Sequence, residues 1–293
     1  MVKVDQFALR IREPKDVPAP LLAFYEKARA DDLDGYVVYA PPITDPPARH
    51  RQVPAGHLLM IGGDRLRIAI DRGVVEEVEI SFADLIFAEI GEALLFSWMR
   101  LGFGRHTSRE IKIPFNTVGI ELFRQALFSI RKALDVSPDR ARNSHADPSR
   151  LPFKFQSELR RWLLEGEQIF ELAFQPEIRT HRFIVFARQL APPTLLALTD
   201  RQFFCVTEEP PVARERLSKY SSVYVYCPLP RLESLALEAD GARRELPEVR
   251  IGLVNDRARV RFTVKVGSDC LAQFALFCRN VMGSVEKSAC ERR

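Results

Sequence analysis

The sequence predicts a mainly β (α+β) protein made of two similar domains. A strand–turn–strand pattern occurs twice, an amphipathic helix and a strand precede each occurrence, and each half ends in a helix with one apolar stripe. Antiparallel strands with one solvated face tend to bend and cover their edges. We therefore expect each domain to be a seven-stranded bent antiparallel sheet, or partly open barrel, capped by its C-terminal helix.

The repeated hairpin is the clearest of these patterns. "LLMIGGDRLRIAI" begins at Leu58 and "LLALTDRQFFCV" begins at Leu195, and in both segments two apolar runs flank a turn that contains Asp-Arg. Short apolar runs on either side of such a turn are typical of a β-hairpin. The hairpin is predicted to supply the second and third strands of each domain.

The segments before the two hairpins also resemble each other. Residues 20–43 and 155–178 each combine an amphipathic helix, a polar turn with Gly35 or Gly166, a strand and a proline. After the hairpin, the second copy contains the additional segment "EEPPVARERLSKYSS". Its prolines and charges predict a surface loop.

A closing helix is predicted at the end of each copy. In the first copy Asn116 is the expected N-cap, and apolar residues follow at helical spacing: Val118, Leu122, Phe123, Ala126, Leu127, Ile130 and Leu134. In the second copy Ser268 is the expected N-cap, and the stripe consists of Leu271, Phe274, Phe277, Cys278 and Val281. Residues 223–226, 249–253 and 258–264 alternate with period two and are predicted to be strands.

The domain boundaries follow from local composition. Residues 1–134 are assigned to the first domain, with an N-terminal extension and helix, and residues 153–283 to the second. Between them, residues 135–152 are rich in Pro, Ser, Asp and Arg and are predicted to be a linker. Residues 284–293 are expected to form a mobile tail.

Composition narrows the classes of function and location. A net charge of +4 on 293 residues is small, so nucleic acid is not expected as a partner. No apolar run reaches the ~18 residues of a membrane-spanning helix, and the N-terminus lacks a secretory core, so we expect no transmembrane segment and a cytoplasmic location. The odd number of cysteines and the lack of a C-x-x-C pair predict reduced, mostly buried thiols at Cys205, Cys227, Cys270, Cys278 and Cys290.

Three motifs in the second copy resemble those of a known family. They are the acidic-Gly turn Glu165-Gly166-Glu167, the segment Thr199-Asp200-Arg201 at the end of a Leu-rich strand, and the strand entry Pro228-Leu229. With the order of elements, they make the chain similar to a tandem of bacterial pleckstrin-homology-like (PH-like) domains. The first copy departs from this pattern, because Gly62-Gly63-Asp64-Arg65 replaces Thr-Asp-Arg. The resemblance implies a non-catalytic adaptor for a ligand, a membrane or a protein.

The loop between the first two strands of each copy is a candidate anion-binding site. Its basic residues are Arg49, His50 and Arg51 in the first copy and Arg179, His181, Arg182 and Arg188 in the second. In eukaryotic relatives of the family this loop holds inositol phosphates, so the resemblance implies a site for phosphate or anionic lipid. Two guanidinium groups that converge on a phosphate would form bidentate bonds. One such loop contributes only about 3 kcal/mol at an anionic leaflet; the alternative is that these residues are simply solvated.

A second candidate is the apolar segment "ALLFSWMRLGFGRHTSRE", which begins at Ala93. Exposed on a hairpin, its large side chains could contact a membrane or a protein partner. These side chains are Phe96, Trp98, Met99, Leu101 and Phe103. The alternative is a pair of core strands joined at a glycine turn.

Catalytic and metal-binding patterns are not found. The five histidines are scattered, and Glu165 and Glu167 flank a turn glycine where we expect them to be solvated. In the two Asp-Arg turns, Asp is expected to accept backbone N–H groups of the turn while Arg faces solvent. We therefore predict no enzymatic activity, no cofactor and no metal.

Three functional hypotheses follow. The leading one is a scaffold that binds a protein partner, or itself as a homo-oligomer, through sheet edges and the closing-helix face. The chief alternative is a module that binds anionic lipid or phosphate weakly at the inner membrane face through its two basic loops. The third is an enzyme with an inter-domain site.

Overall fold

The computed structural model describes residues 7–31, 35–43, 54–134, 146–182, 186–208, 221–238 and 246–291. The protein is mainly β, and its strand pairs are antiparallel, as predicted. The chain divides into two compact units, Met1–Phe103 with Arg109–Asp135, and Gly104–Ser108 with Val136–Arg293.

The first unit begins with the short strand β1 (Leu9–Arg10) and helix α1 (Leu22–Ala30). Seven further strands follow in its described residues: β2 (Tyr36–Ala40), β3 (Gly56–Gly62), β4 (Arg65–Asp71), β5 (Val75–Ser81), β6 (Leu85–Ala93), β7 (Phe96–Phe103) and β8 (Arg109–Asn116). Strands β1 to β5 pair in chain order, and β6 to β8 form a meander. The predicted hairpin is β3–β4.

Helix α1 covers one side of the first sheet. Its buried residues Phe24, Tyr25 and Ala28 belong to one apolar cluster with Leu58 and Met60 of β3. Each fully buried large apolar side chain contributes about 2 kcal/mol. Burial therefore attaches this helix to the sheet.

The closing helix of the first unit, α2, runs from Ile120 to Ala133. It packs against β2, β3 and β6, and the ring of Phe123 stacks on Phe115 with 3.8 Å between ring centroids. Asn116 caps the 3₁₀ turn Thr117–Gly119 that leads into the helix, since its side chain accepts a hydrogen bond from the backbone N–H of Val118. The N-cap position of α2 itself is occupied by Gly119, so Asn116 is not the cap of the helix as predicted. The assignment of Val118 to the buried stripe is wrong: it lies in the 3₁₀ turn Thr117–Gly119 and is 72% exposed.

The second unit follows the same order with one addition. After helix α3 (Phe153–Trp162) its described strands are β9 (Ile169–Gln175), β10 (Ile178–Arg182), β11 (Phe186–Ala191), β12 (Thr194–Thr199), β13 (Gln202–Thr207), β14 (Ser222–Pro228), β15 (Leu232–Glu238), β16 (Glu248–Asn255) and β17 (Ala258–Lys265). Strand β12 pairs with β9 and β13, and β13 pairs with β14. Strands β15 to β17 form a meander. Hairpin β10–β11 is additional to the seven predicted strands. The basic residues of this segment predict a loop, so the sequence pattern does not include it.

The closing helix of the second unit, α4 (Leu271–Glu291), packs against β9 and β15 through Phe274, Phe277 and Val281. Ser268 is not its cap, because Gly267 occupies the N-cap position of the preceding 3₁₀ turn and Ser268 bonds to Asp269. The helix also continues beyond the predicted boundary at residue 283. No proline follows Gly283, and a single glycine costs a helix only about 1 kcal/mol.

Part of the predicted linker has regular structure. The Asp147 side chain accepts a hydrogen bond from the Ser149 N–H and caps the 3₁₀ turn Pro148–Arg150, and the Ala146 N–H donates to the Ile169 carbonyl. The predicted residues 135–145 lie outside the described ranges. Among the helices that the structure describes, none has both the length and the apolar character needed to span a membrane.

Candidate functional site

The first predicted anion loop lies almost entirely outside the described residues. This applies to Arg49, His50 and Arg51, which remain candidates. His57, at the start of β3, is described and is only 4% exposed. Burial, together with the charge of Arg72, lowers its pKa to about 4. The imidazole is therefore neutral at pH 7 and adds no cation to the loop.

The second predicted loop is the hairpin β10–β11. In its backbone register, Thr180 pairs with Arg188, His181 with Ala187, and Arg182 with Phe186. The Arg179 guanidinium is exposed and lies 2.7 Å from a Glu177 carboxylate oxygen, and this ion pair raises the pKa of Arg179. Arg179 thus has an exposed carboxylate neighbour, and the anion site at this hairpin stays a prediction.

The predicted apolar contact hairpin is largely a core strand. Trp98, Met99, Leu101 and Phe103 are buried in β7, while Phe96 is partly exposed. The indole N–H of Trp98 donates to the buried Glu89 carboxylate at 2.7 Å. This burial contradicts the expectation of an exposed hairpin and favours the core-strand alternative.

An exposed apolar surface lies next to this strand, at the tip of hairpin β6–β7. We call it the apolar corner; its members and exposed fractions are Phe7 (48%), Leu94 (41%), Leu95 (78%) and Val118 (72%). The Thr117 N–H donates to the Leu95 carbonyl at 3.3 Å. Gly119 is so close to Ala8 that a Cβ on it would lie 2.6 Å from the Ala8 Cβ. These contacts bring three separate segments together at one place.

Leu94 occupies the left-handed backbone region, with φ of 49°. This conformation costs a residue other than glycine roughly 1–2 kcal/mol, and such strain concentrates at functional positions. The sequence pattern does not single out Leu94 and Leu95, so this tip is missed. The sequence feature that could have indicated it is the leucine pair between two strand-like runs, because a turn is needed between two paired strands.

A second surface is the outer side of β17, which we call the basic edge and define by Arg259, Arg261 and Lys265. All three are exposed and alternate with less exposed residues. One Arg259 guanidinium nitrogen lies 3.0 Å from the Glu233 carboxylate. In the described part of the chain, Arg261 and Lys265 form no ion pair.

The acidic-Gly turn of the second unit contributes a buried carboxylate. Glu167 accepts hydrogen bonds from Thr199 Oγ1 and Gln202 Nε2, both at 2.6 Å, and from the Leu164 N–H at 2.8 Å. The expectation that Glu167 is solvated is therefore wrong, whereas Glu165 is exposed as expected. These bonds tie the end of helix α3 to hairpin β12–β13 and indicate a structural role.

The two Asp-Arg turns use different chemistry. In the second unit the Thr199 hydroxyl accepts the N–H groups of Arg201 and Gln202, at 3.1 and 3.0 Å. Asp200 instead accepts the N–H of Gln168, and burial raises its pKa. In the first unit the turn depends on Gly63, with φ of 57°.

A cleft of about 210 Å³ lies between α1 and strands β4 and β5. Its charged groups pair with one another: Lys27 with Glu77 at 2.8 Å, and Arg67 with Glu79 at 2.8 Å. Arg67 also contacts Asp31 at 2.6 Å. This cleft therefore offers a ligand few unsatisfied charges. Within the described ranges, no group of three His, Cys, Asp or Glu side chains could hold a metal ion.

Comparisons with protein-family models, with curated proteins and with solved structures found no match to this chain. The functional conclusion therefore depends on the surfaces themselves.

Proposed function

We propose that the chain is a tandem of two PH-like domains that acts by binding other proteins or a second copy of itself, and not by catalysis. The order of elements supports this fold: in each unit a helix is followed by four antiparallel strands, then by a three-stranded meander and a closing helix, with the short strand β1 added in the first unit and hairpin β10–β11 in the second. In the first unit β2 also contacts β8. That contact is expected if the sheet bends into a partly open barrel.

The apolar corner carries the proposal of protein binding. Leu95 and Val118 are more than two-thirds exposed and belong to separate segments that are held side by side. Grouped exposed apolar side chains on a folded protein mark interaction surfaces more often than isolated ones do. Full burial of each side chain in an interface contributes about 1.5–3 kcal/mol. A cluster of this kind can supply the apolar centre of a docking interface.

The test is light scattering after size exclusion, with the full chain across the micromolar range. We expect the wild-type protein to self-associate and the double variant Leu95→Ser/Val118→Ser to be monomeric. Val74→Ser is the matched control, because Val74 is 82% exposed on a different turn. Equal behaviour of the double variant and the wild type would contradict the assignment of the corner. A strictly monomeric wild type would exclude the homo-oligomeric form.

The membrane alternative is tested by flotation with vesicles that contain anionic lipid, at low and high salt. We expect no stable flotation, because Arg179 is already paired with Glu177 and one basic loop contributes only about 3 kcal/mol. Salt-sensitive flotation that is lost when Arg49, Arg51, Arg179 and Arg182 are changed to Ser would favour the membrane module instead.

A further inference from the structure

The last strand of the second unit has an open side. β17 follows β16 at the end of the β15–β16–β17 meander, so in the described residues no strand pairs with its other side. An unpaired edge presents main-chain N–H and C=O groups to which an extended segment can add. Its side chains then decide which segment is accepted.

The exposed face of β17 carries positive charge. Arg259, Arg261 and Lys265 all lie on this face, and no acidic residue occurs within the strand. The register position opposite Arg261 is Gly252, which is paired in turn with Ser234. A Cβ at Gly252 would lie 2.3 Å from Ser234 Oγ. These small side chains belong to the paired side of β17, so on its open side the Arg261 guanidinium, which forms no ion pair within the described residues, is available to an acidic side chain.

The alternate positions of β17 have a different character. Val260 and Phe262 are only partly buried, so the strand presents apolar groups between its cations. A strand that pairs with β17 directs its side chains alternately to the same two faces. Opposite charges across a strand pair are favourable, whereas like charges are not.

We infer that the edge of β17 binds an extended peptide in which acidic and apolar residues alternate, added as a fourth strand. This inference rests on the proposed function as a protein-binding module and names the partner chemistry for a second surface, distinct from the apolar corner. A second copy of β17 does not fit, because self-pairing would place arginine and lysine side chains against one another.

The test measures the fluorescence anisotropy of a labelled peptide, Glu-Val-Glu-Val-Glu-Val-Glu, titrated with the full chain at low salt. Arg261→Glu should weaken binding at least tenfold. The control is Arg279→Glu, which reverses an exposed arginine on α4 and should leave binding unchanged. Both substitutions are at exposed positions, and thermal unfolding confirms that each variant folds.

Peptide variants separate strand addition from general attraction. N-methylation of alternate peptide bonds removes main-chain donors and should abolish binding, and a Lys-Val peptide should not bind. Equal loss in the two arginine variants, or equal binding of the N-methylated peptide, would overturn the inference. So would a response to Arg261→Glu that is seen only with RNA or anionic vesicles.

The two proposals fail separately. The double variant Leu95→Ser/Val118→Ser should bind the acidic peptide normally, because the corner is not part of β17. Loss of peptide binding in Arg261→Glu with intact self-association supports the basic edge. Peptide binding that persists in that variant rejects the basic edge and leaves the apolar corner unaffected.

Discussion

His57 and Glu167 show how position decides the state of an ionisable residue. Both lie next to strand-forming segments, and both are buried. His57 is kept neutral by burial, whereas Glu167 is surrounded by donors from Leu164, Thr199 and Gln202. Each is expected to make the stability of its own unit sensitive to substitution.

His57 makes stability depend on pH in the acid range. Its pKa falls from 6.5 to about 4 on folding, so the unfolded chain binds a proton that the folded protein excludes. The stability contribution is complete above pH 6.5 and is lost as the pH falls towards 4. It corresponds to about 3 kcal/mol. Urea unfolding as a function of pH should show this loss.

The matched variants for that experiment are His57→Gln and His106→Gln. His57→Gln should flatten the stability profile between pH 6.5 and 4, while His106, whose side chain is 74% exposed, should have little effect when replaced. An unchanged profile in His57→Gln would show that another group causes the acid sensitivity.

Glu167 and Glu165 form a natural pair for comparison across one glycine. Glu167→Ala removes a carboxylate that accepts three buried hydrogen bonds and should lower the free energy of unfolding by about 3 kcal/mol. Glu165→Ala changes an exposed side chain and should alter it by less than about 0.5 kcal/mol. Chemical denaturation measures both, and similar losses would contradict the structural role of Glu167.

Residue-level features are predictable from the sequence where the chemistry is local. Asn116 depends on its own turn and does act as a cap, although of the 3₁₀ turn before α2 and not of the helix itself. The Glu167 acceptor depends on Gln202, far along the chain, and is missed. Ser268 is misassigned because Gly267, one residue earlier, occupies the N-cap position of the 3₁₀ turn and donates its N–H to the Gln175 side chain.

At the level of elements, the repeat predicts most of the strands. Hairpins β3–β4 and β12–β13 occur where the two apolar runs place them. The expected stripes of α2 and α4 are mostly buried, apart from the exposed Val118 and the partly buried Leu122, Leu134 and Leu271. Hairpin β10–β11 is a separate two-stranded sheet and is missed because its basic residues suggest a loop. A pattern that measures burial cannot detect it.

The tip of hairpin β6–β7 is expected to contain backbone strain that can be relieved. Leu94→Gly removes the cost of the left-handed conformation at φ 49° and should raise the free energy of unfolding by about 0.5–1 kcal/mol. Leu95→Gly is the control. Leu95 does not have a positive φ, so glycine relieves no strain there and should only lower the free energy of unfolding. Thermal unfolding distinguishes them, and a destabilised Leu94→Gly would refute the strain.

At the scale of the whole molecule, the described cysteines behave as core residues. Cys205, Cys227, Cys270 and Cys278 are free thiols, and three of them are buried. Burial raises the pKa of Cys278 to about 11 and that of Cys227 well above its ordinary value. Both thiols are therefore protonated and protected near neutral pH.

Thiol labelling at pH 8 should report this protection directly. Because the thiolate is the reactive form, a charged alkylating reagent should leave Cys205, Cys227 and Cys278 unmodified in the native protein. All five cysteines should react in urea. Peptide mapping by mass spectrometry identifies the modified residues, and rapid native labelling of Cys227 would contradict the described core.

The interaction surfaces are less predictable than the fold. From the sequence, the large side chains of β7 fit either a contact hairpin or core strands; in the structure Trp98 and Met99 are buried while Leu95 is exposed. The exposure of a side chain depends on which neighbouring elements cover its strand, and the spacing of apolar residues in the sequence does not contain this information. In the sequence the basic edge is only a segment in which basic and apolar residues alternate. That one side of β17 is unpaired is known only from the order of the strands.

The paired turns at Gly63 and Thr199 have an evolutionary consequence. The first turn depends on the left-handed backbone conformation of Gly63, and the second depends on hydrogen bonds to the Thr199 hydroxyl. The two units can therefore diverge in sequence at this turn while both keep the same hairpin. Relatives of such a chain would be recognised by superposing their strands before any alignment of residues could detect them.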